Sequence, residues 1–270
     1  MAEIETIPQG NGLRFHHILG VRVYAATHAS ALTCVVQWAR ECTSAYVCFT
    51  NVNTIMEAHD IPGCRGIINR ADMAVPDGMP LVWVLRSAGL SPVERVYGPD
   101  FSLLTLDAAE RERIPVGFYG GGSPRVLARL LESVRARFPR LEIAYAWAPP
   151  FRPLSEEEDL CQVERMRTSG ARILFVGLGG HKQDFWMAAH RGRISAVMLG
   201  VGATFDFLAG MKTQAPRWMM RIGMEWFFRL VTEPRRLWKR YLKHNPRFVV
   251  LFALQLLGLK KFPNGSASRA

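Results

Sequence analysis

The sequence contains no run long enough to span a bilayer. Its longest apolar stretch, Phe248 to Leu259, is interrupted by Gln255 and falls short of the roughly 18 residues a membrane helix needs. The opening MAEIETIPQGNG is acidic and has no apolar core, so no secretory signal is read there. Cysteine is scarce: Cys34, Cys42, Cys48, Cys64 and Cys161 form no CxxC and show no metal-ligand spacing. An odd count does not close a disulfide framework, and a reducing, cytoplasmic setting is the simpler expectation. The seven histidines make no HExxH, and no DxD is present to hold a divalent ion against a nucleotide diphosphate. No metal and no cofactor is therefore expected. Neither a Walker A loop nor a GxGxxG fingerprint occurs, which removes the usual basis for nucleotide hydrolysis and dinucleotide redox chemistry.

Acidic residues are missing from one region only. Residues 1–210 carry 21 basic and 21 acidic side chains, whereas residues 211–270 carry 13 Lys and Arg against only Glu225 and Glu233. The whole formal charge of +11 thus belongs to the last sixty residues. A basic excess confined to one segment implies an anionic partner for that segment, and lipid and nucleic acid are the candidates.

Short apolar runs alternate with helical patterns along the rest of the 270 residues. Strands are expected at Ile18–Tyr24, Tyr46–Thr50, Val116–Tyr119, Glu142–Ala146, Ile173–Val176 and Ala196–Leu199. Helices are expected near 30–40, 53–60, 78–88, 101–112, 124–137, 155–168 and 182–191. This alternation specifies an α/β, Rossmann-like layered domain with a largely parallel sheet. The composition changes after Gly210, which divides a domain of residues 1–210 from a helical, amphipathic C-terminal appendage of residues 211–270.

In that appendage Arg217, Arg221, Glu225 and Arg229 recur every fourth residue, as one charged stripe on a single helix over Arg217–Val231. Thr232 is placed to cap a second helix with Pro234 in its first turn. There Leu237, Trp238, Tyr241 and Leu242 share one face, while Arg235, Arg236, Lys239, Arg240 and Lys243 cover the other. Trp and Tyr beside a basic face mark a helix that lies in a membrane interface. The same residues could instead pack on the domain with a solvated basic face, or stack bases and bind phosphates. The many aliphatic and Met side chains, and the neutral remainder of the chain, favour an anionic membrane surface and no nucleic acid. The broadly apolar first helix also leaves room for packing on a second copy of the chain.

Three strand-to-helix junctions could carry chemistry, since ligands in such sheets sit beyond the carboxyl ends of strands. Val116–Pro124 places Gly120 and Gly121 before a helix start, where backbone N–H groups can approach a diphosphate. Ile173–Asp184 is a second glycine turn, with Gly179 leading into Lys182 and Gln183. Asn69–Gly78 opens a helix near Met79, and Asp77 there is either an N-cap or a carboxylate poised to take a proton from an attacking hydroxyl. Asn51 ends a strand and would lie on the same sheet edge.

Taken in order, these junctions resemble the WecG/TagA/CpsF glycosyltransferases. The carriers are Asn51-Val-Asn, the run ADMAVPDGM from Ala71, Glu94–Asp100, Phe118-Tyr-Gly-Gly, Val176-Gly-Leu-Gly and Lys182-Gln-Asp. The run GVGATFDFLAG from Gly200 and the run GMEWFFRL from Gly223, followed by Glu233-Pro-Arg-Arg-Leu, complete them. The resemblance implies an inverting, metal-independent transfer of a sugar from a nucleoside diphosphate donor, taken as UDP, to a polyprenyl-diphosphate-linked sugar in bacterial cell-surface polysaccharide synthesis. It implies Asp77 as general base, Asn51 as a polar neighbour, Arg95 as a basic pocket residue and Gln183 as the family's motif glutamine. Arg229 and Arg236 would reach the lipid-linked diphosphate, with Arg240 on the same basic face. Phe49, His181 and Gln214 depart from the family's pattern and bear on which sugar is moved. The competing expectation is a non-catalytic nucleotide-sugar-binding or scaffold protein at the membrane.

Overall fold

The computed structural model describes residues 12–263; most of the MAEIETIPQGNG start and the NGSASRA end lie outside them. The first elements are β1 (Phe15–Ile18), β2 (Val21–Tyr24), α1 (His28–Arg40), β3 (Ala45–Thr50), α2 (Val52–Asp60), α3 (Cys64–Asn69), β4 (Met73–Pro76) and α4 (Met79–Ser87). Then come α5 (Gly98–Glu112), β5 (Val116–Gly120), α6 (Pro124–Arg137), β6 (Ile143–Trp147), α7 (Glu156–Ser169), β7 (Ile173–Gly177), α8 (Gly180–His190) and β8 (Val197–Gly200). The last are α9 (Thr204–Leu208), α10 (Arg217–Arg221), α11 (Glu225–Thr232) and α12 (Pro234–Leu256).

Six strands form one sheet in the order β4-β3-β8-β7-β5-β6, and the pairs β3–β8, β8–β7, β7–β5 and β5–β6 are parallel. This is the expected α/β layered class. A parallel strand is covered on both faces, so it reads as a continuous apolar run, as every buried residue of β3 shows. Helices between the strands supply the crossovers that parallel pairing requires. Their limits are set by local chemistry. Ser155 and Glu158 form a reciprocal capping box at the start of α7, and Gly170, at φ 79°, ends it.

Contacts group the chain into two compact units. One comprises residues 28–48 and 97–213. In its core Phe118 stacks on Phe175 at 5.2 Å, and Phe205 meets Phe118 edge-on at 5.9 Å. Tyr119 stacks on Trp186 at 4.3 Å, and burial pushes its phenol well above the usual range.

The other unit comprises described residues 12–27, 49–96 and 214–263. Here the single strand expected over Ile18–Tyr24 is instead an antiparallel hairpin, with Phe15 opposite Tyr24 and Ile18 opposite Val21. Leu19 and Gly20 adopt φ 50° and 80°, the left-handed pair that a two-residue hairpin turn demands. Gln255 of α12 satisfies the backbone on either side of that turn: its Oε1 accepts from Leu19 N at 2.7 Å and its Nε2 donates to His17 O at 2.7 Å. The polar residue that interrupts the last apolar run is therefore a fastener. Asn69 holds the same hairpin, accepting from Arg22 N at 2.8 Å and donating to Gly20 O at 2.9 Å.

The expected single helix over Arg217–Val231 is two. Gly223, at φ 76°, follows α10, with its N–H bonded to Met220 O at 3.2 Å and Met224 N bonded to Met219 O at 2.8 Å. That pair of bonds is a Schellman ending, and it splits the charged stripe between Arg221 and Glu225. Thr232 does not cap the next helix either. Its hydroxyl donates back to Phe228 O at 3.0 Å as part of α11, and Glu233 holds the N-cap position of α12.

α12 packs on α2, and its Leu237, His244 and Phe248 are buried. His244 Nδ1 donates to Asn53 Oδ1 at 2.8 Å, and Asp60 takes both Nη groups of Arg247 at 2.8 Å. On another face of α12, Trp238, Leu242, Val249 and Leu256 stand exposed. Among the described residues no helix is long and apolar enough to cross a membrane.

Candidate active site

A cavity of about 520 Å³ lies within the second of these units. Its polar lining includes Asn51, Asp77, Arg95, Glu225, Arg229 and Arg240. Met79, Trp83, Trp226, Tyr241, Phe248 and Val249 supply an apolar one. Trp83 and Val249 are 49% and 65% exposed, so the apolar lining continues out to the surface.

The backbone places Asp77 from two sides. Asp77 N donates to Thr50 O at 2.7 Å at the end of β3, and Thr50 Oγ1 donates to Val75 O at 2.7 Å. On the other side Val96 N donates to Pro76 O at 2.9 Å, which brings the neighbouring Arg95 alongside. The N-cap reading of Asp77 does not hold, because Gly78 occupies the cap of α4 and no side chain bonds there. Asp77 sits one residue earlier, in the cavity wall. A Cβ on Gly78 would lie 3.3 Å from Asn51 Cβ, so glycine lets the start of α2 come close to the Asp77 turn. Asn51 itself caps α2, its Oδ1 accepting from Thr54 N at 3.2 Å. The expected shared edge of Asn51 and Asp77 is thus present, with Asn51 also holding a helix start.

Arg95 is more committed than a free substrate ligand would be. Its Nε donates to Asp77 O at 2.7 Å, and its Nη2 pairs with the Glu225 carboxylate. The same Nη2 lies 3.9 Å from Asp77 Oδ1. Arg229 Nη1 stands 3.9 Å from Glu225 Oε1, across one turn of α11. The Nε atoms of Arg229 and Arg240 are buried with no hydrogen-bond partner. Buried guanidinium N–H groups without acceptors are costly, and they suit a planar oxyanion such as phosphate. Arg236, expected beside them, is instead half exposed, paired with Glu233 at 2.5 Å and outside the lining.

The glycine turns belong to the other unit. Gly120 and Gly121 have φ 128° and 92°, but neighbouring atoms fill the space a side chain would need. A Cβ on Gly120 would meet Gly177 O at 2.5 Å, and one on Gly121 would meet Phe205 Cδ2 at 3.2 Å. Their glycine character is explained by strand contact and by the Phe205 ring. Gly179, at φ 78°, has nothing within 4 Å of its Cβ position, so there the space is open. Gln183 is buried and spends both ends on backbone: Nε2 donates to Gly200 O at 2.5 Å and Oε1 accepts from Gly179 N at 3.3 Å. It shapes the turn, while Lys182 beside it is exposed.

Sequence reasoning missed Trp83, Tyr241 and Asn245 in the cavity lining, and it read Glu225 only as part of a charged stripe and Trp226 only as part of the apolar remainder of one helix. The buried glutamate in an otherwise basic segment was the available signal.

A parallel layered fold and a cavity that brings a carboxylate together with arginine Nε atoms lacking hydrogen-bond partners are the parts that group transfer on an anionic substrate requires. The chain belongs to the WecG/TagA/CpsF family of glycosyl transferases, which matches residues 16–262. It is 30% identical over 206 residues to the N-acetylglucosaminyldiphosphoundecaprenol N-acetyl-beta-D-mannosaminyltransferase of Bacillus spizizenii, covering 76% of this chain and 77% of the relative.

Proposed function

We propose that this glycosyltransferase moves a sugar, with inversion, from a UDP-linked donor to a polyprenyl-diphosphate-linked sugar in cell-surface polysaccharide synthesis. The observation that carries the reading is the cavity itself. It joins a carboxylate, buried arginine N–H groups without acceptors and an apolar wall open to the surface. Those features match in turn an acceptor hydroxyl, a diphosphate and the start of a lipid chain. The relative's name, a transferase acting on an undecaprenol diphosphate sugar, supports the same assignment.

In this mechanism Asp77 takes the proton of the attacking acceptor hydroxyl, and cationic side chains stabilise phosphate charge. Arg229 and Arg240 face the lipid-linked diphosphate. The open turn at Gly179, with Lys182 following it, serves the donor diphosphate, and the reaction runs without a divalent ion. Segment 211–270 meets the membrane through Trp238, Leu242, Val249 and Leu256 with basic residues around them.

The test is release of nucleoside diphosphate from a panel of nucleotide sugars with a synthetic polyprenyl-diphosphate-sugar acceptor. D77N is expected to lose turnover by at least roughly 100-fold while retaining donor binding. Near-normal turnover by D77N would remove Asp77 from the chemistry, and failure of every donor in the panel would overturn the transfer reading.

A further inference from the structure

Residues 211–270 contain only two acids, and one of them, Glu225, is among the chain's most buried charged residues at 8% exposure. A carboxylate surrounded in sequence by cations would ordinarily sit at the surface, paired with its own helix neighbour. Glu225 does not. Arg229, one turn along α11, stays 3.9 Å away, while Arg95, 130 residues distant in sequence, makes the direct bond.

Arg95 is held at two points of its planar fork. Nε is fixed by the backbone carbonyl of Asp77 at 2.7 Å, and Nη2 by Glu225. Nη2 also stands toward the Asp77 carboxylate, and at 3.9 Å it is beyond hydrogen-bond reach of Oδ1. A guanidinium anchored only at Nε could rotate its Nη2 onto that carboxylate and form the charge-assisted bond that such pairs favour. Glu225 draws it the other way.

We infer that Glu225 is a positioning residue: by pairing with Arg95 it keeps the guanidinium off Asp77 Oδ1, so that Asp77 remains able to accept a proton. The inference rests on the proposed role of Asp77 as base. It also gives the C-terminal segment a part in the proton-transfer step, because α11 must be seated for Glu225 to reach Arg95. Arg95 then acts through Asp77 and need not touch substrate. The rival role is an internal anion that occupies a phosphate's place on Arg95 and has to be displaced, and it makes the opposite prediction.

The experiment compares wild type, E225A and E225Q in the nucleoside-diphosphate release assay, below the melting temperature of each. E225A is expected to lower kcat on the order of 100-fold, as a small misplacement at a reacting centre does, with KM for both substrates within about threefold. E225Q keeps an acceptor oxygen for Arg95 and is expected to recover roughly 10-fold of that loss. An equal loss in E225Q and E225A, a rise in turnover, or a change confined to KM would overturn the proposal. A second readout is independent of chemistry. In a thermal-stability cycle, R95A and E225A are expected to be strongly non-additive; additivity would overturn the link even if the wild type transferred no sugar. A silent wild type with a coupled cycle would instead count against the transfer reading alone.

Discussion

Replacing Gly120 by alanine should harm the fold far more than the same change at Gly179, although both glycines sit at strand-to-helix turns and both have positive φ. At Gly120 the backbone is at φ 128°, and the added Cβ would lie 2.5 Å from Gly177 O, 2.6 Å from Gly177 C and 2.8 Å from Gly177 Cα. These are backbone atoms of the partner strand, in register with Gly120 itself, so no side-chain rotation relieves the clash. Backbone strain of about 1–3 kcal/mol adds to overpacking of about 1–3 kcal/mol, giving about 4 kcal/mol in all. For a chain of this size that corresponds to a fall in Tm on the order of 10 °C. At Gly179 only the strain operates, because nothing lies within 4 Å of the Cβ position. Its Tm should fall by roughly 5 °C, and its defect should appear mainly in donor KM. Differential scanning calorimetry of the two variants, with donor titration of each, decides the matter. A G120A protein melting within roughly 3 °C of wild type, or one less damaged than G179A, would refute the steric argument.

Two further outcomes follow from the burial of particular side chains. Burial lowers the His16 and His244 pKa values, so in the folded protein these rings resist protonation. The unfolded chain takes up protons below its ordinary histidine value of about 6.5, so stability should fall as pH drops through that value. The profile should be flatter in H244Q by thermal melts between acid and neutral pH, and an unchanged slope would exclude His244 as a contributor. Replacing Leu242 and Val249 by glutamate should abolish co-sedimentation with anionic vesicles while leaving Tm unchanged, since the two side chains are 67% and 65% exposed. Undiminished sedimentation would move the membrane contact elsewhere.

Much of the fold was legible because buried parallel strands announce themselves as apolar runs. β3, β5, β7 and β8 lie within one residue of their expected limits. β4 was not legible, since Met73-Ala-Val-Pro76 is only four residues long and ends in proline next to a turn. The β1–β2 hairpin was hidden because its turn uses Leu19 with a positive φ, a conformation that a bulky residue rarely signals. The break at Gly223 was masked for a different reason. The residues on both sides fit a four-residue charge period, and only the glycine marks where it stops.

The site was legible in its strand-end residues and illegible in its pairings. Asn51 and Asp77 could be placed together because adjacent strand ends converge in a parallel sheet, and they do line one cavity. No periodicity links Arg95 to Glu225, which depends on where α11 comes to rest. Composition pointed away from it as well, for thirteen cations drew the eye to the charge of the segment and to a surface role. A basic segment that meets an anionic surface has little use for acids, and a random acid within it would be exposed and paired with its nearest neighbours. Glu233 comes closer to that description, partly exposed and 2.5 Å from Arg236 across less than one turn. Glu225 fails it on both counts, being buried and bonded to a distant arginine. In a segment of one dominant sign, the residue of the opposite sign that leaves the surface is the one that ties the segment to the site.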